Sequence, residues 1–420
     1  MAELAVEGSR AGRDHQRMPT NPMIRLVAAL ALATSAAACS RGTASSGAPS
    51  PQAAAQAVPR ADCSRFQPYL DSIHAAGRFA GATLGIAFAD GSACGLATGW
   101  NDTTAKTRMR PADLLLSGSV GKTYVAAVAL QLVGEGRLGL DERISTYLGR
   151  EPWFNRLPNA PDITVRMLMN HTSGLVRYEL NERFLKDLTA NPDKVWTPEE
   201  RIAYLLDAKP PFRAGEGWDY SDTNYIVLGL IVERITGQPL NDEIRRRVLE
   251  PLRLARTVPS DKREIPGLAQ GYAGPNNPFG GFDAMIVNGK FAVNPQFEWA
   301  GGGYASTAED LARWMKYLFE GRAYPDSLLR QALDGREARQ LGQGVRYGLA
   351  AIIRETPMGA VYGHSGFMPG YQTEARYYPA HKFAVAFQFN SSAPGTLGRP
   401  PAAVVTEIAR RITESPLHGR

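Results

Sequence analysis

The chain has 420 residues, 47 Lys and Arg against 41 Asp and Glu for a formal charge of +6, and is 44% hydrophobic and 21% charged. That length suits one large or two modest domains, and that balance excludes a disordered chain; the 42 glycines and 29 prolines follow no repeat, which excludes a fibrous one. Basic residues are spread along the sequence, the densest cluster being Arg245-Arg246-Arg247 on an expected helix, so a solvated helix face explains it and a nucleic-acid-binding stripe is excluded.

Taken in order, Arg25 precedes an apolar run over 26–33, and small residues lead to Cys39, the layout of a signal peptide over 1–38. The run is too short to span a bilayer as a stable helix. Ala36-Ala37-Ala38-Cys39-Ser40 resembles a bacterial lipoprotein cleavage site, with Ala36 where leucine is usual. The expectation is therefore an exported protein, periplasmic or an outer-membrane lipoprotein tethered through Cys39, with Met18 or Met23 as an alternative start. Residues 39–61, rich in Ala, Ser, Gly, Pro and Gln, read as a flexible tether. Cys63 and Cys94 either pair in an oxidising compartment or stay buried thiols. No Cys/His cluster has metal-ligand spacing, and no metal is expected.

The folded part opens with a helix over 66–77 and strands over 82–89 and 95–100, joined at the turn dipeptide Asp90-Gly91. Next comes LLLSGSVGKTYVAAVALQL over 114–132, an apolar lead-in, a small-residue turn and a helix expected from Val120. Ser119 and Lys122 lie one turn apart, which puts a hydroxyl and an amine on one face. A serine becomes a nucleophile when a neighbouring base takes its proton, and a helix start offers free N–H groups to an oxyanion. The same run resembles a phosphate-binding loop, but position 116 is leucine rather than glycine; Ser117 likewise breaks a nucleophile elbow.

Helical patterns follow: a short helix capped by Thr164 and ending by His171 and Gly174, then 198–206, 223–236 and 240–248. Residues 276–294 look irregular. Strand-sized runs return at 347–354, 360–362, 370–378 and 383–389, and a helix over 404–412 closes the chain. The pattern implies a discontinuous α/β sheet domain over 62–118 and 300–413, around a mostly helical domain over 119–299 that carries the nucleophile helix.

Two motifs give Ser119 partners. Tyr220-Ser221-Asp222 stands just before the helix from Thr223, and Gly363-His364-Ser365-Gly366 ends a short strand. With HTSGL at 171–175 and AGGGYAST at 300–307 in between, the stretch 66–412 resembles the serine β-lactamase and penicillin-binding-protein superfamily. The likeness is greatest to its class C β-lactamase, D-Ala-D-Ala carboxypeptidase and family VIII esterase branches. The resemblance implies a β-lactamase/transpeptidase-like fold, an antiparallel sheet flanked by helices with a helical insertion. It implies Ser119 as the acylated nucleophile, Lys122 as its proton partner and Tyr220 as a phenol that two cationic or amine neighbours help ionise. His364, Ser365 and Gly366 would line the opposite wall, and the N–H of Phe367 would join that of Ser119 in an oxyanion hole. No metal or organic cofactor is implied.

The chain departs from the family pattern at Asp222, where an asparagine is usual, and at His364, where β-lactamases carry lysine. Asp222 facing Lys122 would favour the protonated amine, and His364, partly charged near neutral pH, would attract a substrate carboxylate weakly. His171 is expected to satisfy backbone carbonyls at a helix end, and glycines 301–303 to serve packing. Trp218, Tyr225 and Phe367 are expected either in the pocket wall or in the core, and specificity in the loop 276–297. The function implied is an exported serine hydrolase, esterase or D-Ala-D-Ala carboxypeptidase-like, acting on a small ester, D-Ala peptide or β-lactam. A class C-type β-lactamase and a catalytically silent peptidoglycan- or peptide-binding protein are the alternatives.

Overall fold

Two runs far apart in sequence pair to make the central sheet. The computed structural model describes residues 61–414; the expected signal peptide, Cys39 and nearly all of the expected tether lie outside the described residues. The first run gives β1 (Gly81–Ala87), β2 (Ala93–Asp102) and β3 (Thr107–Arg108). Next come β4 (Leu115–Leu116), β5 (Thr257–Pro259), the hairpin β6 (Ile286–Val287) and β7 (Lys290–Phe291), and β8 (Tyr304–Ser306). The second run gives β9 (Arg336–Glu337), β10 (Arg346–Tyr347), β11 (Ile352–Thr356), β12 (Gly359–Met368), β13 (Tyr371–Tyr378) and β14 (Phe383–Phe389). The nine-stranded sheet has the order β3-β2-β1-β14-β13-β12-β11-β10-β9, with every neighbouring pair antiparallel. A small sheet of order β4-β8-β5 lies beneath the nucleophile turn.

β1 and β14 are apolar without alternation because both faces are covered. Leu84 and Ile86 stand opposite Phe387 and Val385, and this face packs against Leu70 and Ile73 of the opening helix and Val404, Val405 and Ile408 of the closing one. On the other face Ala375, Ala384 and Ala386 meet the helix Ala308–Phe319. Full burial of one such large apolar side chain contributes about 1.5–3 kcal/mol, which makes this sandwich the rigid half of the site. Cys63 and Cys94 form a disulfide with Cα atoms 6.2 Å apart, tying the start of the described chain to β2.

The helices Lys122–Gly134 and Thr223–Thr236 are apolar almost all round and pack on each other as the core of the helical half. Thr164 caps Val165–Met169 as expected, accepting from the Met167 N–H at 3.3 Å. Several boundaries move. The α-helix after Ser119 starts at Lys122 rather than Val120, because Gly118–Gly121 winds as a tighter 3-10 turn. The run 347–354 is broken by Ala350 at φ 61°, and the region 276–294 contains the β6–β7 hairpin. The helix expected over 240–248 turns into a π-helix at Arg245–Leu249. There the arginine cluster is only partly a solvated face. Arg247, its side chain 10% exposed, pairs with Glu243 and Glu135.

Candidate active site

β4 delivers the chain to the nucleophile turn. Ser117 donates from both its N–H and its hydroxyl to the Tyr304 carbonyl, at 2.9 and 2.8 Å, and fixes the entry to the turn. In a 3-10 turn residues i and i+3 eclipse, so Ser119 and Lys122 stack more directly than on an α-helix. Lys122 Nζ lies 2.9 Å from Ser119 Oγ and 2.5 Å from Asp222 Oδ1, and donates a very short bond to the Gly301 carbonyl. An ammonium has three protons, and here three acceptors surround it. Burial pulls the Lys122 pKa down, but the Asp222 carboxylate and Tyr220 outweigh it, so the amine is held charged above its ordinary value. Glycines 301–303 therefore do more than pack, since Gly301 supplies one acceptor.

Asp222 sits at the N-cap of Thr223–Thr236, at the positive end of a long helix dipole. Two residues earlier, the Tyr220 hydroxyl is buried without a hydrogen bond of normal geometry. Burial raises its pKa, the Lys122 charge opposes the rise and the Asp222 carboxylate adds to it. The second cation at this ring is Arg177, its guanidinium carbon 5.6 Å from the ring centroid.

β12 forms the facing wall. It runs ten residues, so the His-Ser-Gly motif lies in its second half rather than at the end of a short strand. β11 stops pairing at Gly363, which leaves the segment His364–Met368 edging the cleft. The close approach is set by two glycines. A Cβ on Gly366 would stand 1.8 Å from the Ser117 carbonyl oxygen, and one on Gly118, which has φ 52°, would stand 2.6 Å from the Phe367 nitrogen. The Ser119 turn and the Phe367 backbone are thus in direct contact.

His364 corrects the expectation of partial charge. It is 2% exposed; its Nδ1 donates to the Ser365 carbonyl at 2.6 Å, and its Nε2 accepts from the Tyr347 hydroxyl at 2.8 Å. Burial first, then the nearby Lys122 charge, depresses its pKa to about 3, so it is neutral at physiological pH. His171 also behaves otherwise than expected. Its Nδ1 accepts from the Ser221 N–H and the Asn224 amide at 3.3 and 3.0 Å instead of donating to carbonyls, and its ring lies 4.2 Å from that of Tyr220.

One cavity is lined by Ser119, Tyr220, Asp222, His364, Ser365, Gly366 and Phe367, with Lys122 buried beneath. Trp218 packs behind Tyr220 and Tyr347, and Tyr225 is fully buried, so neither reaches that lining. Phe279 and Phe297, from or beside the loop expected to set specificity, do. The lining adds four charged residues that no motif marked: Arg177, Glu179, Glu298 and Arg354. Arg177 donates to Glu179 at 2.5 Å. Burial and then Asp222 raise the Glu179 pKa, and burial, Asp222 and Glu179 raise that of Glu298 to about 8. Among the described residues no group of three or more His, Cys, Asp or Glu could hold a metal, and no helix is long and apolar enough to cross a membrane.

The family model described as Beta-lactamase matches residues 66–410. The chain belongs to the beta-lactamase family. This family member is 30% identical over 312 residues to Esterase EstB of Burkholderia gladioli, across 65% of this chain and 78% of the esterase. It is 23% identical to Penicillin-binding protein 4* of Bacillus subtilis (strain 168), across 70% of this chain and 64% of that protein. With a D-aminopeptidase of Brucella anthropi the identity is 24%, across 70% of this chain and only 53% of that enzyme. A D-stereospecific amidohydrolase from Streptomyces sp. superimposes with TM-score 0.68 at 26% identity, covering 79% of this chain and 95% of its own. D-amino acid amidase from Ochrobactrum anthropi SV3, complexed with D-phenylalanine, shares the fold at TM-score 0.70 and 24% identity, covering 84% and 99%. The solved neighbours share this chain's fold, an antiparallel sheet with flanking helices, and the chain is a serine hydrolase of the beta-lactamase family.

Proposed function

We propose that this beta-lactamase family member is an exported hydrolase that forms an acyl-enzyme on Ser119 from small esters or amides, in the manner of an esterase or D-amino-acid-directed peptidase. The observation that carries the reading is the arrangement at Lys122 Nζ, which gives one proton to Ser119 Oγ while Asp222 holds the amine charged. An ammonium cannot accept the serine proton, so that role falls to Tyr220 as phenolate, with Lys122 balancing its charge. Ser119 Oγ bonds to the acyl carbon as its proton passes to Tyr220 Oη. The oxyanion is met by the N–H groups of Ser119 and Phe367. Collapse breaks the bond to the leaving group, which takes the proton from Tyr220, and water then repeats the sequence on the acyl-enzyme.

The relatives named esterase and D-aminopeptidase support this range of acyl donors. A neutral His364 makes β-lactam hydrolysis a lesser activity, because a β-lactam carboxylate meets no charge at that position. The Cys63–Cys94 disulfide supports export, and lipidation at Cys39 would make it a tethered protein. The test is fluorophosphonate labelling of the full chain, with turnover of a short-chain nitrophenyl ester, a D-Ala-D-Ala peptide and a chromogenic cephalosporin. The wild type is expected to label at Ser119, and Ser119→Ala to lose about 10³-fold or more in kcat. Equal turnover by the two proteins rules the mechanism out, and an unlabelled wild type points to a silent binding protein.

A further inference from the structure

Glu298 sits in the cavity wall with nothing to do in the mechanism above. It is 8% exposed, yet among the described residues no hydrogen bond or ion pair is made by its carboxyl group. Its oxygens are not sealed in the core but open on the cavity, where a ligand can reach them. The other carboxylates of the cavity are engaged: Asp222 with Lys122, and one oxygen of Glu179 with Arg177. The second Glu179 oxygen is buried with no hydrogen-bond partner.

The fold spends interactions to hold Glu298 in place. Buried Arg201 donates to the Gln296 and Phe297 carbonyls at 2.8 and 2.7 Å, and the Tyr178 hydroxyl also donates to the Phe297 carbonyl at 2.7 Å. The Glu298 carbonyl accepts from the Gly301 N–H, the residue whose own carbonyl binds Lys122. The backbone that carries Glu298 is thus tied through Gly301 to the Ser119–Lys122 pair. Beside it the cavity is apolar, with Leu180, Leu185, Phe279 and Phe297 in the lining. A carboxyl without a donor of its own, on a well-held backbone and next to an apolar bay, matches a ligand that brings a cation and a hydrophobic group together.

We propose that Glu298, with the free oxygen of Glu179, forms a subsite for a protonated amine on the acyl donor, so that the substrates are amino acid amides or esters with a free amino group and an apolar side chain. The assignment rests on the acyl-enzyme reading of Ser119. The charged groups acting on Glu298 are Asp222 and Lys122 on the helical side and Glu179 on the segment after HTSGL; Arg177, paired with Glu179, and Arg354 from β11 line the same cavity. Burial first, then Asp222, raises the Glu298 pKa to about 8, Lys122 opposing. Below that pH the empty site holds Glu298 protonated. Binding an ammonium therefore expels a proton, since the ion pair forms only with the carboxylate.

The experiment competes phenylalaninamide and N-acetylphenylalaninamide, in both enantiomers, against fluorophosphonate labelling of Ser119 in the full chain. Calorimetric titration of the same ligands at about pH 6.5, below the amine's own pKa, in two buffers of different ionisation enthalpy counts protons released. Expected are protection and binding at least about tenfold tighter for the free amine than for its acetylated form, with release of up to about one proton per ligand, both diminished in Glu298→Gln. Equal affinity for the two ligands in the wild type, absence of proton release, or a preference untouched by Glu298→Gln overturns the subsite. Absence of labelling with amine-selective binding retained instead overturns the acyl-enzyme reading and leaves the subsite standing.

Discussion

Lys122 and His364 are both basic, both buried and both at the cleft, yet the helical wall holds its lysine charged and the strand wall holds its histidine neutral. Burial alone disfavours the charged form of either group. What separates them is a carboxylate. Asp222 stands 2.5 Å from Lys122, whereas the two ring nitrogens of His364 meet a backbone carbonyl and a phenol. The same Lys122 charge that ionises one side of the site helps keep the other side neutral. The consequence is a cleft polarised across its width, with anionic and cationic groups on the helical side and neutral hydrogen-bonding groups on β12.

The sharpest way to break this contrast is Lys122→Met, which leaves Asp222 buried without its cation and Ser119 without its donor. A drop of about 10³-fold in ester turnover and a loss of about 3–5 kcal/mol in unfolding free energy are expected, read by steady-state kinetics and urea titration. Tyr220→Phe removes the proposed proton acceptor. It should lower kcat/KM by about 10²–10³-fold and abolish the rise of rate with pH that a phenol with a raised pKa imposes on the wild type toward alkaline conditions.

Asp222→Asn erases the difference between the two walls. With the carboxylate gone, burial pulls the Lys122 pKa down, the free amine becomes available as a base, and the acylation profile moves about 1–2 units toward lower pH. Faster acylation by a chromogenic cephalosporin should accompany the shift, and an unchanged profile would sink the electrostatic account of Lys122. The smallest effect belongs to His364→Asn. A histidine whose folded pKa lies near 3 takes up no proton between pH 6.5 and 3, while the unfolded chain does; stability conferred by the neutral form is therefore lost as pH falls through that window. The variant should lose less of its thermal midpoint between pH 7 and pH 4 than the wild type, by a few degrees.

The contrast also marks what the sequence made legible. Ser119, Lys122, Tyr220, Asp222 and the His364–Phe367 stretch came from motif order, and the structure gathers them around one cavity. The apolar runs of β1 and β14 were readable because both sheet faces are buried, which leaves strand-length hydrophobic segments. The charge of His364 was not legible, since it depends on Tyr347 and on burial that no local pattern encodes. Nor were Arg177, Glu179, Glu298 and Arg354, charged residues lying in no motif and brought together only by tertiary folding. One signal was present: Glu298 stands between Phe297 and Trp299, just ahead of AGGGYAST, an acidic residue flanked by aromatics where a core segment would place an apolar one.

The missing side chains at Gly366 and Gly118 have a mechanical meaning. Main chain bears directly on main chain between the Ser119 turn and β12, so the floor of the cleft has no rotamers with which to yield. A bulkier acyl group has to be accommodated on the opposite side of the cavity, where Phe279 and Phe297 of the loop 276–297 line it with side chains. Directed changes of substrate range should therefore accumulate there, while the two glycines act as fixed gauge blocks that set the reacting distance for every substrate alike.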